Sequence, residues 1–197
     1  MADPQDNPLT GYDVLLCVTG GIACYKAADL ASKLTQAGAA VNVAMTEAAV
    51  RFIGALTFQA LTGREVYTGL WQATERHDSA HLSLTEQADV MIVAPATANI
   101  LAKMAVGLAD DLVSTLALSA CGACDILTAP AMNTRMWSAP QTQANVAALV
   151  ERGVRVVGPG EGRLACGEVG PGRMAEPAEI LEVASAMLRA KPPKSAG

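Results

Sequence analysis

Runs of apolar residues alternate along this chain with longer stretches in which apolar residues recur at helical spacing. The first run, residues 13–19, ends at Gly20-Gly21 and is followed by a helical pattern over residues 22–37. The later runs are residues 41–45 with a helical stretch through Phe58, 89–94 with a helix at 99–121, 125–129 with a helix at 141–152, and a last strand at 154–157. Five short apolar strands separated by helices predict an α/β fold with a doubly wound, mostly parallel sheet.

Polar residues, glycines and prolines gather just after the predicted strands. These strand-end segments are Thr19-Gly20-Gly21, Thr46-Glu47, Pro95-Ala96-Thr97-Ala98-Asn99, Pro130-Ala131-Met132-Asn133 and Gly158-Pro159-Gly160. In an open parallel sheet the carboxyl ends of the strands face one crevice, where ligands bind. The sequence therefore predicts one pocket built by several loops.

The length and composition predict a single compact domain. Of the 197 residues, 51% are hydrophobic and 17% charged, which excludes a disordered chain. We expect this domain to cover residues 12–190, with flexible ends at 1–11 and 191–197. Residues 160–174 contain five glycines and no clear periodicity, so they are expected to form either a flexible surface connection or a lid loop over the crevice.

The charge pattern excludes two classes of partner. A net charge of -5 provides no basic surface for a nucleic-acid backbone. The longest uncharged stretch, residues 136–150, is too short and too polar to span a bilayer, so no membrane partner is expected. The first residues lack the basic and apolar regions of a signal peptide, which leads us to expect a cytoplasmic protein.

The glycine pair after the first strand allows two interpretations of about equal weight. Gly20-Gly21 can let backbone N–H groups approach a phosphate at a helix N-terminus, or can simply pack the helix on its strand. The complete G-x-G-x-x-G fingerprint is absent, and Thr46 stands where a dinucleotide site often has an acid. These features disfavour NAD and favour a mononucleotide such as FMN.

Histidine and cysteine are weaker signals by themselves. His81 begins a predicted short helix, and an isolated histidine is more often structural than catalytic. Five cysteines do not indicate a disulfide scaffold in a chain of this size. Cys121 and Cys124 form a lone CxxC, which we interpret as small buried thiols, so no metal site is expected. Cys166 lies in the glycine-rich segment, where a thiol would be accessible.

Five motifs in order resemble the homo-oligomeric flavin-containing cysteine decarboxylases, over residues 12–188. They are residues 19–26 (TGGIACYK), 81–84 (HLSL), 95–99 (PATAN), 130–137 (PAMNTRMW) and 164–167 (LACG) continuing to 172–174 (GRM). The resemblance implies a Rossmann-like flavoprotein that assembles as trimers, often grouped into dodecamers, with FMN at a subunit interface.

The resemblance also implies roles for individual residues. The positions that match the family's FMN site are Gly20, Gly21, Ile22, Thr46, Thr97, Ala98, Asn99 and Ala131. The positions that match its catalytic residues are His81, Asn133 and Cys166, and those that match its substrate contacts are Asn133, Arg163, Ala165 and Met174.

The loop at residues 165–174 resembles the members that convert phosphopantothenoylcysteine to 4'-phosphopantetheine in coenzyme A biosynthesis. The implied chemistry oxidises the substrate thiol to a thioaldehyde, after which loss of CO2 leaves an enethiolate. His81 would assist thiol deprotonation, Asn133 would hold the carboxylate, and Cys166 would protonate the enethiolate. Peptidyl-cysteine decarboxylases, a non-catalytic flavin-binding regulatory subunit and a flavin prenyltransferase remain alternatives at this stage.

Overall fold

The computed structural model of the chain describes residues 7–70, 80–164 and 167–194, with only the backbone described at 80–82. Within these ranges the strands form one six-stranded sheet and one two-stranded hairpin. The strands of the sheet are β1 (Asp13–Val18), β2 (Ala40–Met45), β3 (Val66–Tyr67), β4 (Val90–Ala96), β5 (Asp125–Pro130) and β6 (Arg155–Val156), and those of the hairpin are β7 (Gly160–Arg163) and β8 (Val169–Arg173).

Helices connect these strands in sequence. They are α1 (Cys24–Gln36), α2 (Glu47–Val50), α3 (Ala55–Thr62), α4 (Ala80–Gln87), α5 (Ala98–Val106), α6 (Leu112–Ser119), α7 (Thr134–Trp137), α8 (Pro140–Glu151) and α9 (Pro177–Arg189). The strand order is β3-β2-β1-β4-β5-β6, and every pairing within this sheet is parallel. This confirms the predicted doubly wound, parallel α/β sheet. Its order reverses between β1 and β4, where such sheets open a crevice for ligands.

Apolar side chains cover both faces of the sheet. On one face Leu30 and Ile180, from α1 and α9, pack with the core residues of β1 and β2. On the other face Leu101 and Leu116, from α5 and α6, pack against Met91 of β4. All seven residues of β4 are buried, as expected for a central parallel strand with helices on both sides.

Two helices predicted as continuous are each divided in two. The predicted helix at 99–121 is broken after Val106, because Gly107 takes a left-handed conformation (φ 76°) and ends α5. Asp111 and Ser114 then form a capping box that starts α6. The helical stretch through Phe58 likewise separates into α2 and α3. Strand β3 was not predicted because it has only two residues, and α9 was not predicted either.

Residues 160–174 were expected to form a flexible surface connection or a lid loop, and most of them form the antiparallel β7–β8 hairpin. Their glycines serve close packing on the segment after β5. A Cβ atom at Gly172 would overlap the carbonyl of Met132, and one at Gly170 would crowd the Thr134 hydroxyl. The Met132 N–H also donates to the Gly172 carbonyl (2.9 Å), so β8 is fixed directly to this segment.

Residues 7–11 and 191–194, which belong to the two ends expected to be flexible, make contacts with the domain. Leu9 is fully buried, and its N–H donates to the carbonyl of Ala37 (2.9 Å). At the other end Lys194 donates from Nζ to the carbonyls of Glu86, Ala88 and Ala123. These contacts attach residues 7–11 and 191–194 to the domain.

Candidate functional site

A cleft of about 1010 Å³ opens at the carboxyl ends of β1, β2, β4 and β5, and the hairpin forms one of its walls. We call it the main cleft. The residues predicted from the sequence that line it are Gly20, Gly21, Ile22, Thr46, Thr97, Ala98, Asn99, Ala131, Asn133, Arg163 and Met174. The fold thus brings together, in one cleft, residues that lie far apart along the chain.

The turn between β1 and α1 packs tightly on the neighbouring β2–α2 connection. A Cβ atom at Gly20 would overlap Ala48 of α2, so glycine is required there for close approach. Gly21 faces open space by comparison, since its nearest contact would be Thr97 Cγ2 at 3.8 Å. Close packing therefore accounts for Gly20. The space beside Gly21 is compatible with the other interpretation, a bound phosphate.

Thr19 and Thr97 organise the junction of β4 and α5. The Thr19 hydroxyl donates to the Pro95 carbonyl (2.6 Å) and accepts a longer bond from the Thr97 N–H (3.4 Å). Thr97 Oγ1 in turn accepts from the Ile100 N–H (3.3 Å) and so caps α5. The first-turn residues Ala98 and Asn99 thereby stand at a capped helix N-terminus on the wall of the cleft, where backbone N–H groups favour an anion.

The charged residues that line the main cleft are mostly basic. They are Lys26, Lys103, Arg163 and Arg173, against Glu47 and Asp111. Burial opposes ionisation of Lys103, but its 2.6 Å contacts to Asp110 and Asp111 outweigh burial and raise its pKa. This lysine is therefore a fixed cation that holds the start of α6. Carboxylates balance three of these cations: Lys103 contacts Asp110 and Asp111, and Lys26 and Arg173 share Glu176.

Asn133 lies between β5 and α7, with both ends of its amide engaged. Its Oδ1 accepts from the Arg135 N–H (2.8 Å), which caps α7, and its Nδ2 donates to Glu168 Oε2 (2.9 Å). Arg135 Nη2 lies 3.6 Å from the other oxygen of the same carboxylate, Glu168 Oε1. The Asn133 amide is therefore oriented as a donor to a carboxylate at the edge of the cleft.

Lys26 of α1 connects the base of the hairpin to the sheet. Its buried ammonium donates to the Met174 carbonyl (3.2 Å) and to Glu176 Oε1 (2.7 Å). Arg173 Nη2 lies 3.3 Å from the same Glu176 oxygen. Met174 itself is almost fully buried in the core, so it forms the wall of the cleft rather than an exposed contact.

Three of the predicted site residues are not placed relative to the cleft. Ala165 and Cys166 lie outside the described residues. His81 belongs to α4, but its side chain is also outside the described part. Sequence reasoning conversely missed Lys26, Arg135 and Glu168 as parts of the site. Lys26 and Arg135 stand inside the quoted motifs, but a local pattern carries no signal for their distant partners.

The CxxC segment lies in a separate cavity of about 600 Å³, lined also by Asp89 and Asp125 at the amino ends of β4 and β5. Cys121 is exposed, contrary to the interpretation of two buried thiols, because it follows the end of α6. Cys124 is partly buried, and this burial raises its pKa to about 11. Among the residues whose placement is described, no group of three or more His, Cys, Asp or Glu side chains could hold a metal ion.

A doubly wound sheet whose switch-point cleft is lined by a capped helix N-terminus is typical of α/β proteins that bind a phosphate-containing cofactor. Comparison with known proteins identifies the family to which the chain belongs. The Flavoprotein family matches residues 3–189, and the chain belongs to this family. None of the helices in the described ranges is long and apolar enough to cross a membrane.

Individual relatives are more specific. The chain is 48% identical, over 176 residues, to the coenzyme A biosynthesis bifunctional protein CoaBC of Bacillus subtilis (strain 168), covering 89% of this chain and 43% of that protein. It therefore spans less than half of this curated relative. A cysteine-to-serine mutant of PPC decarboxylase complexed with pantothenoylaminoethenethiol has a similar structure (TM-score 0.78, 31% identity, 91% of this chain and 97% of that chain). The FMN-dependent cysteine decarboxylase SpaF is also similar (TM-score 0.79, 31% identity, 94% and 98%).

Proposed function

We propose that this protein is an FMN-dependent decarboxylase that converts phosphopantothenoylcysteine to 4'-phosphopantetheine in coenzyme A biosynthesis. The observation that carries this proposal is the Asn133 amide, fixed as a carboxylate donor on the wall of the main cleft. The names of the two similar proteins, CoaBC and PPC decarboxylase, support the same reaction and substrate.

The residues of the main cleft fit FMN. The space left at Gly21 and the capped start of α5 suit a phosphate group, and the lining combines these polar groups with the apolar Ile22 and Ala131. The residues that would hold it are Gly20, Gly21, Ile22, Thr46, Thr97, Ala98, Asn99 and Ala131. Bound FMN would supply an electron sink for the substrate thiol and return the electrons later, so that the reaction involves no net oxidation.

The protein's own groups would bind the substrate and move its protons. Asn133 Nδ2 would hold the carboxylate that is lost, and Arg163 would bind an anionic part of the substrate from the hairpin wall. His81 would take the thiol proton, and Cys166 would donate a proton to the enethiolate after CO2 has left. Ala165 and Met174 would complete the wall around the substrate.

We further propose that the active protein is a homotrimer, or a dodecamer made of four trimers, with the active site at the subunit interface. Two large apolar side chains that line the main cleft stand exposed: Ile22 is 64% and Tyr25 63% exposed. Such a patch at the mouth of a polar cleft suits burial against another copy of the chain. The thiol chemistry suits a reducing compartment, so we propose a cytoplasmic location as well.

A peptidyl-cysteine decarboxylase is the second candidate, because SpaF has the same fold at 31% identity. Both reactions need the flavin and a group that holds the carboxylate of a cysteine. They differ in what surrounds that cysteine: a phosphorylated pantothenoyl chain in one case and a peptide in the other. Arg163, on the hairpin wall of the cleft, favours the phosphorylated substrate, because a guanidinium can bind a phosphate.

The test uses purified protein reconstituted with FMN. We expect a yellow protein with one noncovalent FMN for each site, which releases CO2 from phosphopantothenoylcysteine and leaves peptides ending in cysteine unchanged. Mass spectrometry of the product checks for phosphopantetheine. A colourless protein that cannot be loaded with FMN would exclude the cofactor, while preferential turnover of the peptides would favour the second candidate. FMN binding without any turnover would indicate a regulatory subunit.

A further inference from the structure

The carboxylate that Asn133 holds in this structure belongs to the chain itself. Glu168 offers one oxygen to Asn133 Nδ2 (2.9 Å) and the other to Arg135 Nη2 (3.6 Å). The Arg135 N–H fixes the orientation of the amide through Asn133 Oδ1 (2.8 Å), so that Nδ2 must face the carboxylate. These groups form a receptor for one carboxylate, and they are the same groups to which the proposed function assigns the carboxylate of the substrate.

Glu168 belongs to the tip of the hairpin. Its carbonyl accepts from the Leu164 N–H (2.8 Å), which closes the turn between β7 and β8. The base of the hairpin is fixed separately, through Lys26 and the Met174 carbonyl. Contact between Glu168 and Asn133 therefore joins the tip to the rim of the main cleft, while the base stays attached whether or not that contact forms.

We propose that Glu168 is an internal competitor for the substrate's carboxylate: it occupies the Asn133 amide in the free enzyme and must leave before the substrate binds there. This inference rests on the proposed function. We call the contact the Glu168 latch. The latch holds Glu168 on the Asn133 amide when no substrate is present.

The exchange of one carboxylate for another at Asn133 costs little free energy. Asn133 Nδ2 keeps an anionic partner before and after the exchange, so this partly buried donor ends with a hydrogen bond in both states. Glu168 has a side chain 42% exposed, and Arg135 is 87% exposed, so their mutual attraction is weak and the released carboxylate is readily hydrated. A ligand that carries a carboxylate can therefore displace the latch.

The latch also distinguishes substrate from product. Loss of CO2 removes the one substrate group that competes for Asn133, and Glu168 can then return to the amide. Phosphopantetheine has no carboxylate and does not compete for the amide. Glu168 thus lowers the affinity for a ligand whose carboxylate must reach Asn133 and leaves the affinity for the decarboxylated product unchanged.

The test measures binding without turnover. The probe is phosphopantothenoylserine, in which a hydroxyl replaces the thiol that the flavin would oxidise, and its affinity is measured by calorimetry on FMN-loaded protein. Glu168→Gln keeps the size of the side chain but removes the charge, so we expect roughly threefold to tenfold tighter binding than in the unmodified protein. The control is Glu161→Gln, the same change at an exposed position of β7, which should leave the affinity unchanged.

A second measurement needs no substrate analogue. Trypsin cleavage after Arg163, followed by mass spectrometry, should be faster in Glu168→Gln than in Glu161→Gln, because the adjoining ends of β7 and β8 separate from the rim of the cleft more often. Equal or weaker binding of the probe by Glu168→Gln would overturn the latch, while the proposed function would stand. If neither the unmodified protein nor the variants bind the probe, the proposed substrate is wrong. The cleavage rate then decides on the latch: faster cleavage in Glu168→Gln supports it, and an unchanged rate overturns it.

Discussion

The hydroxyl of Thr19 donates a 2.6 Å hydrogen bond to the carbonyl of Pro95, joining the ends of the two strands between which the sheet order reverses. Both residues are buried, and the bond lies directly beneath the wall of the main cleft formed by Thr97. The position of the helix α5 N-terminus, which we propose as part of the FMN site, therefore depends on this contact.

Replacement of Thr19 by valine should destabilise both the fold and the cofactor site. Valine has nearly the same shape but no hydroxyl, so the buried Pro95 carbonyl loses its donor at a cost of about 1–3 kcal/mol in the free energy of unfolding. We also expect weaker FMN binding, measured by fluorescence titration beside urea unfolding. Thr19→Ser keeps the hydroxyl and should restore both quantities; equal loss in the two variants would assign the effect to packing instead.

Replacement of Asn133 by aspartate should separate cofactor binding from substrate binding. Aspartate can still cap α7 through a side-chain oxygen, but in place of the Nδ2 donor it presents an anion to any carboxylate. We expect Asn133→Asp to keep FMN and to lose at least roughly tenfold in affinity for phosphopantothenoylserine, since a charge-assisted hydrogen bond becomes a repulsion.

The matched control for this change is Asn145→Asp on α8, outside the main cleft. It introduces the same charge, so it should leave both affinities unchanged. Undiminished decarboxylation by Asn133→Asp would remove Asn133 from its proposed role.

The cysteines should differ in their reaction with iodoacetamide as the pH changes. Burial raises the pKa of Cys124 to about 11, so at pH 8 it is almost entirely thiol, and only the thiolate reacts. Its labelling rate should rise about tenfold for each pH unit between 8 and 10 and level off above its pKa. Cys17, which is fully buried and has a raised pKa, should stay unlabelled in the native protein. Cys121 is exposed and should be labelled. Peptide mapping separates these sites, and a pH-independent rate at Cys124 would contradict the predicted effect of burial.

The sheet and the walls of its cleft were predictable because their signals are local. Short apolar strands ended by Gly20-Gly21 or Pro95 reveal both the strand and the loop that follows it. A break in the predicted helix at 99–121 was also signalled locally, by Gly107 and by the capping pair Asp111 and Ser114, although the apolar periodicity concealed it.

The contacts that complete the site were not predictable in the same way. Glu168 lies 35 residues from Asn133, and Lys26 lies 150 residues from Glu176, so no pattern within a window of sequence pairs them. The glycines of the hairpin suggested an irregular loop, whereas Gly170 and Gly172 are required by the close approach of β8 to Thr134 and Met132. Only the folded chain shows that these glycines serve packing between distant segments.

The central claim, that a flavin-dependent oxidation precedes loss of CO2 at this site, is tested most directly by rapid mixing under anaerobic conditions. FMN-loaded protein and its Cys166→Ser variant are mixed with phosphopantothenoylcysteine while flavin absorbance, CO2 and product mass are followed. We expect the unmodified protein to form phosphopantetheine and to end with oxidised flavin. A serine hydroxyl is a far weaker acid than a thiol, so Cys166→Ser should release CO2 yet accumulate reduced flavin and a decarboxylated product two hydrogens short of phosphopantetheine. Release of CO2 by the unmodified protein without FMN, or by Cys166→Ser with no loss of flavin absorbance at any time, would contradict the proposed chemistry.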